Sequence, residues 1–118
     1  MPITSRPRRS MLYMPASNAR ALEKAKSLAC DGLIFDLEDA VAPEHKPAAR
    51  SAACAAAASR GYGRRELLIR VNALDTPWSA DDLSAVATCG ADGVVLPKVN
   101  SAREVKDALQ ILERAGAP

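Results

Sequence analysis

The stretch LIFDLEDAVAP, residues 33–43, joins an apolar run directly to a cluster of carboxylates. Residues 32–35 are apolar in succession rather than alternately, which is typical of a strand covered on both faces. Asp36, Glu38 and Asp39 begin where that strand ends. In parallel α/β folds, ligands bind at the carboxyl edge of the sheet. The stretch therefore predicts a buried strand with an acidic site at its end.

Apolar runs and helical segments alternate along the whole chain. The pattern predicts strands at residues 11–14, 32–37, 66–71 and 93–96, and helices at residues 18–29, 47–59, 80–89 and 102–115. This β-α order implies parallel strands joined by right-handed crossovers, and hence an α/β fold of four βα units. The pattern leaves open a four-stranded open sheet or half of an eightfold barrel, which typically needs about 250 residues. Length alone favours the open sheet.

Composition excludes several classes of function. The chain of 118 residues is the size of one small domain, and its net charge of +2 gives no support for binding nucleic acid or a membrane surface. The positive run at residues 6–9 is interpreted as a solvated leader without a partner. Cys30, Cys54 and Cys89 lack a CxxC spacing, so we interpret each as a small buried hydrophobe rather than a reactive thiol. With neither a secretory signal nor a membrane span in the pattern, we expect a cytoplasmic protein.

Three carboxylates within four residues repel one another unless positive charge lies nearby. Asp36 and Glu38 lie two residues apart and would share one face of a strand. Carboxylate oxygens are the ligands that hard cations such as Mg²⁺ prefer, which suggests a metal-linked role. Two simpler interpretations stay open. Asp39 could cap a turn, and Lys46 or Arg50 from the next helix could neutralise part of the charge.

Two basic residues follow later strands at the same edge. Arg70 ends the third strand and requires a partner, which is either the acidic cluster or the carboxylate of a substrate held bidentately. Lys98 follows the fourth strand and either offers a point charge there or is a solvent-exposed lysine. A single histidine, His45, excludes a histidine-based triad and a zinc site with several histidines. The glycine-rich fingerprints of dinucleotide and P-loop sites are absent.

Four motifs in order carry a resemblance to a known family: RSMLYMP at residues 9–15, FDLEDAV at 35–41, RVNALD at 70–75 and LPKV at 96–99. Together they resemble the citrate lyase beta chain family of the HpcH/HpaI aldolase superfamily. The resemblance implies that residues 1–118 are a partial (βα)₄ domain, the amino-terminal half of a TIM-barrel lyase. It implies Mg²⁺-dependent cleavage of a citryl or malyl-type thioester into an acetyl thioester and an α-keto acid such as oxaloacetate.

The resemblance also implies roles for individual residues. Arg70 would bind the substrate, Asp36, Glu38 and Asp39 would order the waters of the metal, and further substrate contacts would come from Tyr13, Lys24 and Lys98. The family's direct metal ligands, a glutamate and an aspartate, come from the fifth and sixth strands, so no direct ligand is expected in this chain. CoA and an acyl carrier protein are both compatible thioester carriers, and we expect a homo-oligomer or a partner subunit. The alternative is a catalytically inert half-barrel that binds a homologous subunit or a carboxylate ligand.

Overall fold

A computed structural model describes residues 7–118 and contains, within them, four strands that alternate with four α-helices. The strands are β1 (Met11–Pro15), β2 (Gly32–Asp36), β3 (Glu66–Arg70) and β4 (Gly93–Val95). The helices are α1 (Ala19–Lys24), α2 (Lys46–Ser59), α3 (Ser79–Val86) and α4 (Ala102–Arg114), with 3₁₀ turns at Ala25–Ser27 and Pro43–His45. The predicted order of elements is confirmed.

The first helix is shorter than predicted and ends in a tighter turn. Asn18 caps its start, since the side-chain oxygen accepts a hydrogen bond from the backbone N–H of Ala21 at 3.1 Å. At the other end, the Ser27 hydroxyl donates to the Lys24 carbonyl at 3.0 Å. A serine that bonds back to the main chain competes with α-helical pairing, which accounts for the change to 3₁₀ geometry at Ala25–Ser27.

The four strands form one parallel sheet in the order β1-β2-β3-β4. Strand order follows chain order without a reversal, which is the arrangement of neighbouring strands in a (β/α)₈ barrel rather than in a doubly wound sheet. The register aligns the residues at the carboxyl edge in one row, which consists of Pro15, Asp36, Arg70 and Val95. The prediction of an α/β fold with parallel strands is confirmed.

The ladder of backbone hydrogen bonds continues one residue beyond the strands at this edge. The N–H groups of Ala16, Leu37 and Val71 donate to the carbonyls of Asp36, Arg70 and Val95, respectively, at 3.0, 2.9 and 3.2 Å. Each donor directly follows the end of one strand, and each acceptor is the last residue of the neighbouring strand. The sheet therefore holds the first residue of each loop in fixed geometry.

The hydrophobic core lies between the sheet and the helices. Phe35 and Ile69, both fully buried, face the helices from the two central strands. Helix α2 packs here through alanines spaced four residues apart, Ala49, Ala53 and Ala57, whose small side chains let the helix approach closely. Tyr62 closes the core with an edge-on contact to Phe35 at 5.4 Å between ring centroids.

At the amino edge of the sheet, two arginines of the positive run pair with acidic residues. Arg8 forms a two-pronged contact with Glu66 at 2.5–2.7 Å, and the backbone N–H of Arg9 donates to Asp31 at 2.6 Å. The predicted solvated leader is therefore tied to the sheet at these two residues, whereas Arg6 lies outside the described residues. Among residues 7–118, no helix has the length and apolar character that crossing a membrane requires.

Candidate active site

Asp36 and Arg70 form a planar ion pair at the carboxyl edge of the two central strands. The two residues are direct partners in the parallel register. Arg70 Nε donates to Asp36 Oδ1 and Arg70 Nη2 donates to Oδ2, both at 2.8 Å. The same carboxylate accepts the backbone N–H groups of Glu38 at 2.9 Å and Ala40 at 3.0 Å. Each carboxylate oxygen thus accepts two hydrogen bonds, which fixes both side chains.

These contacts also determine the charge states of the pair. Burial raises the pKa of Asp36, but the hydrogen bonds from Arg70 and from two backbone N–H groups outweigh it and hold that pKa below its usual range. The hydrogen bond to Asp36 raises the pKa of Arg70. Asp36 is therefore ionised at neutral pH, and its role in this arrangement is to orient Arg70.

Glu38, Asp39 and Lys98 form a second, looser part of the site. Lys98 Nζ donates to Glu38 Oε2 and, at 3.3 Å, to Asp39 Oδ1. The hydrogen bond from Lys98 lowers the pKa of Asp39. The Glu38 carboxylate is buried, and its Oε1 has no hydrogen-bond partner among the described residues, with Arg70 Nη1 at 3.6 Å. Strand β2 ends at Asp36, so Glu38 reaches Arg70 from the following loop rather than from the same strand face as predicted.

An open cleft connects the ion pair to Tyr13 on β1. The guanidinium carbon of Arg70 lies 4.9 Å from the centroid of the Tyr13 ring, a cation–π contact. The cleft has a volume of about 590 Å³ and is lined by Tyr13, Met14, Pro15, Asp36, Asp39, Ala40 and Arg70. The structure thus brings Tyr13, Asp36, Asp39 and Arg70 to one cleft.

Lys46 binds the backbone of the loop that carries Glu38 and Asp39. Its ammonium group donates to the carbonyls of Leu37 and Glu38 at 2.9 and 2.8 Å and lies 5.2 Å from the centroid of the Trp78 ring. Arg50 instead pairs with Asp82 at 2.8 Å, so it does not neutralise the cluster. Sequence reasoning missed Trp78, for which no motif gives a signal.

Lys24 lies apart from this cluster. It is exposed in the last turn of α1, and it is absent from the residues that line the cleft. Helix α1 starts at the carboxyl edge and runs away from it for six residues, about 9 Å at the usual rise. The distance from the edge explains why Lys24 does not join Lys98 and Arg70.

The described residues contain no group of three or more His, Cys, Asp or Glu side chains arranged to hold a metal ion. Asp36 is saturated by Arg70 and by backbone N–H groups, so its oxygens are not available. The oxygens that remain are those of Glu38 and Asp39, and Lys98 contacts one oxygen of each.

Comparisons with known proteins agree with this arrangement. The chain is 47% identical over 106 residues to a (3S)-malyl-CoA thioesterase of Cereibacter sphaeroides (strain ATCC 17025 / ATH 2.4.3), covering 90% of this chain and 37% of that protein. It is 44% identical over 103 residues to the citrate lyase subunit beta of Escherichia coli (strain K12), covering 87% of this chain and 34% of that protein. The chain therefore spans about a third of the length of the curated relatives it matches.

A solved structure shows the same likeness in three dimensions. The citrate lyase beta subunit from M. tuberculosis, complexed with oxaloacetate and magnesium, superposes with a TM-score of 0.62 at 38% identity, covering 82% of this chain and 41% of that one. The family model for HpcH/HpaI aldolase/citrate lyase matches residues 9–117. These residues include all four motifs and every side chain of the site. The chain belongs to the HpcH/HpaI aldolase/citrate lyase family.

Proposed function

We propose that this chain contributes the keto-acid side of the active site in a Mg²⁺-dependent carbon–carbon lyase of the citrate lyase beta type. The reaction would cleave a citryl or malyl-type thioester into an acetyl thioester and an α-keto acid such as oxaloacetate. The observation that carries this proposal is the Asp36–Arg70 ion pair at the wall of an open cleft. The citrate lyase subunits among the relatives, and the neighbour complexed with oxaloacetate and magnesium, support the choice of chemistry.

Arg70 has donors left for a substrate. Of its five N–H groups, two bond to Asp36, and those on Nη1 together with one on Nη2 remain. Because Asp36 holds the guanidinium plane, the remaining donors have a fixed direction and suit a carboxylate bidentately. Arg70 would therefore clamp a carboxylate of the α-keto acid, with Tyr13 packing on the guanidinium face beside it. A cation fixed in advance stabilises negative charge that develops on the keto acid during bond cleavage.

The acidic residues fit a divalent cation next to this clamp. Within residues 7–118, Glu38 Oε1 is a buried carboxylate oxygen without a hydrogen bond, and the three carboxylates form ion pairs with two cations, Arg70 and Lys98. Glu38 and Asp39 would hold Mg²⁺ through its water molecules, since this ion retains several waters when bound to protein. The chemistry that bound Mg²⁺ supplies is polarisation of the keto acid's oxygens. We propose that the direct ligands lie outside this chain.

The same proposal covers the domain as a whole. Residues 1–118 would be a partial (βα)₄ domain that forms the amino-terminal half of a TIM barrel. The sequential strand order and the coverage of about 40% of the M. tuberculosis subunit support this assignment. The other half would come from further residues, from a second copy or from a partner subunit. The thioester carrier would be CoA or an acyl carrier protein.

Calorimetric titration of oxaloacetate into the purified chain, with and without Mg²⁺, tests the clamp. Because Glu38 and Asp39 would hold the hydrated ion, we expect Mg²⁺ to strengthen the binding. Arg70→Lys should weaken it roughly 10- to 100-fold, because Lys keeps the charge and loses the paired hydrogen bonds. Arg103→Lys is the matched control, since Arg103 is exposed on α4 and pairs with Asp107. Binding that is equal with and without Mg²⁺ would favour the inert carboxylate-binding half-barrel instead. Equal affinity of the Arg70→Lys variant would rule out the clamp.

A second candidate function is hydrolysis of a malyl-CoA thioester. The observation that favours it is the 47% identity to the (3S)-malyl-CoA thioesterase. Both reactions need the carboxylate clamp, but hydrolysis releases free CoA and malate, whereas lyase cleavage leaves the thioester intact on the acetyl product. Incubation with malyl-CoA, followed by titration of free thiol and by quantification of acetyl-CoA, distinguishes them. Acetyl-CoA without free thiol supports the lyase, and free thiol with malate supports the thioesterase.

A further inference from the structure

Helices α2 and α3 are fixed against each other at two points. At the first point, Arg50 Nε donates to Asp82 Oδ1 at 2.8 Å, and the other Asp82 oxygen accepts from the backbone and side chain of Asn72. At the second point, the turn after α3 rests on the end of α2. A Cβ on Gly90 would lie 3.6 Å from the Ala57 carbonyl oxygen. Helices α2 and α3 therefore run side by side between these two contacts.

Two cysteines lie between these fixed points. On α2, Cys54 comes four residues after Arg50 and three before Ala57, so it lies on the face directed at α3. On the other side, Cys89 immediately precedes Gly90 and packs, like Cys54, against the hydrophobic core while remaining partly exposed. Both cysteines thus lie at the contact between α2 and the turn after α3, although 34 residues separate them in the chain.

The electrostatics agree with that placement. The interaction with the Cys54 thiol, with help from the backbone N–H of Ala91, lowers the pKa of Cys89 to about 6 despite the opposing effect of burial. The same contact and burial raise the pKa of Cys54. Arg50 and Asp82 are the charged groups that act on Cys54, and they act in opposite directions. Cys89 is therefore the thiolate and Cys54 the thiol of this pair.

We propose that Cys54 and Cys89 are a redox-active pair that a peroxide converts into a disulfide between α2 and the turn after α3. In the first step, the Cys89 thiolate attacks a peroxide oxygen, the O–O bond breaks, and hydroxide leaves with Cys89 oxidised to a sulfenic acid. In the second step, the Cys54 sulfur attacks the Cys89 sulfur, its proton joins the departing hydroxyl group, and water leaves. Two thiols are oxidised by two electrons and one peroxide is reduced.

The disulfide would constrain the edge strand of the sheet. The turn after Cys89 leads through Asp92 directly into β4, and Asp92 accepts a hydrogen bond from the Leu67 backbone at 2.8 Å. A disulfide would fix the entry of β4 to helix α2. Cys30 lies elsewhere, just before β2, and serves as an internal control in the same chain.

Peptide mapping of the whole chain after brief treatment with hydrogen peroxide tests the proposal. We expect a Cys54–Cys89 linked peptide that has lost two hydrogen atoms, formed within single chains, with Cys30 still reduced. The Cys30→Ser variant should give the same bridge, and the Cys54→Ser variant should leave Cys89 as a sulfenic acid that dimedone labels. Oxidation spread equally over the three cysteines, or bridges only between chains, would overturn the proposal.

A second measurement needs no variant. The rate of Cys89 alkylation by iodoacetamide should reach half its maximum near pH 6, well below the range of an ordinary thiol. A half-maximal rate near the ordinary thiol value of about pH 8.5 would contradict the assignment of Cys89 as the attacking thiolate.

Discussion

Strands β2 and β4 have similar sequences but lie in different surroundings. β2 contains GLIFD and β4 begins GVV, and both follow an aspartate. Every residue of β2 is buried, because β1 and β3 flank it and α2 covers it. Every residue of β4 is partly exposed, because β3 is its single neighbour among the strands of residues 7–118. The burial of a strand therefore depends on its neighbours as much as on its own apolar pattern.

The candidate site includes residues that follow both the central strands and the edge strand. Asp36 and Arg70 end the two central strands and hold each other rigidly, whereas Lys98 follows the edge strand with 62% of its side chain exposed, against 21% for Arg70. Near β4, an apolar cleft of about 350 Å³ stays open between α3 and α4, and Leu109 on α4 is 52% exposed. The central and edge regions should therefore respond differently to the same kind of substitution.

The greatest loss of stability should come from a substitution in a central strand of the sheet. Phe35→Ala should lower the free energy of unfolding by about 3–5 kcal/mol, because the buried ring leaves a cavity next to Tyr62. Leu109→Ala on α4 is the control and should change stability by less than about 1 kcal/mol, because that side chain is half exposed. Urea unfolding followed by circular dichroism measures both. Equal losses would show that the edge is as well packed as the centre.

The next effect compares two ion pairs. Arg70→Ala should cost about 3 kcal/mol in unfolding free energy, because the buried Asp36 carboxylate loses its cation and keeps only two backbone partners. Lys98→Ala should cost less, because Lys98 itself is largely exposed and Arg70 Nη1 still lies 3.6 Å from the buried Glu38 carboxylate. Unfolding midpoints in guanidinium chloride, at matched ionic strength, provide the measurement. A larger loss for Lys98→Ala would reverse the ranking of the two halves of the site.

A smaller effect should appear in the pH dependence of stability. The pKa of Asp36 is lower in the folded chain than its unfolded value of about 3.9. The unfolded state therefore binds the proton first, so the stability from Asp36 is fully present above about pH 4. It is lost as the pH falls through the lowered folded value. Urea titrations between about pH 5 and pH 2 should show that the free energy of unfolding falls less steeply with decreasing pH in Asp36→Asn than in the unsubstituted chain. An equally steep fall in both would contradict the assigned charge state.

The smallest effect concerns the backbone at Lys98, which has φ of 51°, in the left-handed region. Lys98→Gly should be slightly more stable than Lys98→Ala, because glycine adopts this conformation without the steric cost of a Cβ. Arg60, with φ of 55° at the end of α2, supplies the reference. At that position, the glycine variant should have a free energy of unfolding about 1 kcal/mol higher than that of the alanine variant. A smaller difference at Lys98 than at Arg60 would indicate that the edge loop relaxes.

Much of this architecture could be predicted from residue patterns. The alternation of apolar runs with capped helical segments predicts the order of elements, and the position of Asp36 and Arg70 at strand ends predicts their meeting. In-register pairing of β2 with β3 could not be predicted, because register depends on three-dimensional packing. The shared face expected for Asp36 and Glu38 assumed a longer strand, but β2 ends where Asp36 accepts backbone N–H groups from the loop.

Other features depend on contacts between segments distant in the chain. The pairing of Arg50 with Asp82 joins two helices, and neither residue lies in a motif. Each cysteine by itself fits the interpretation of a small apolar residue. Only the packing of α2 beside α3 places Cys54 next to Cys89, so their proposed chemistry has no sign in the spacing of the sequence.

The ladder that extends past the strand ends has a consequence for hydrogen exchange. The N–H groups of Ala16, Leu37 and Val71 belong to loops, but they bond to the sheet and should exchange with deuterium as slowly as strand amides do. Amides further along the same loops should exchange much faster. The boundary between slow and fast exchange would then fall just beyond Asp36 and Arg70, so the residues that orient the clamp would open only when the sheet itself unfolds.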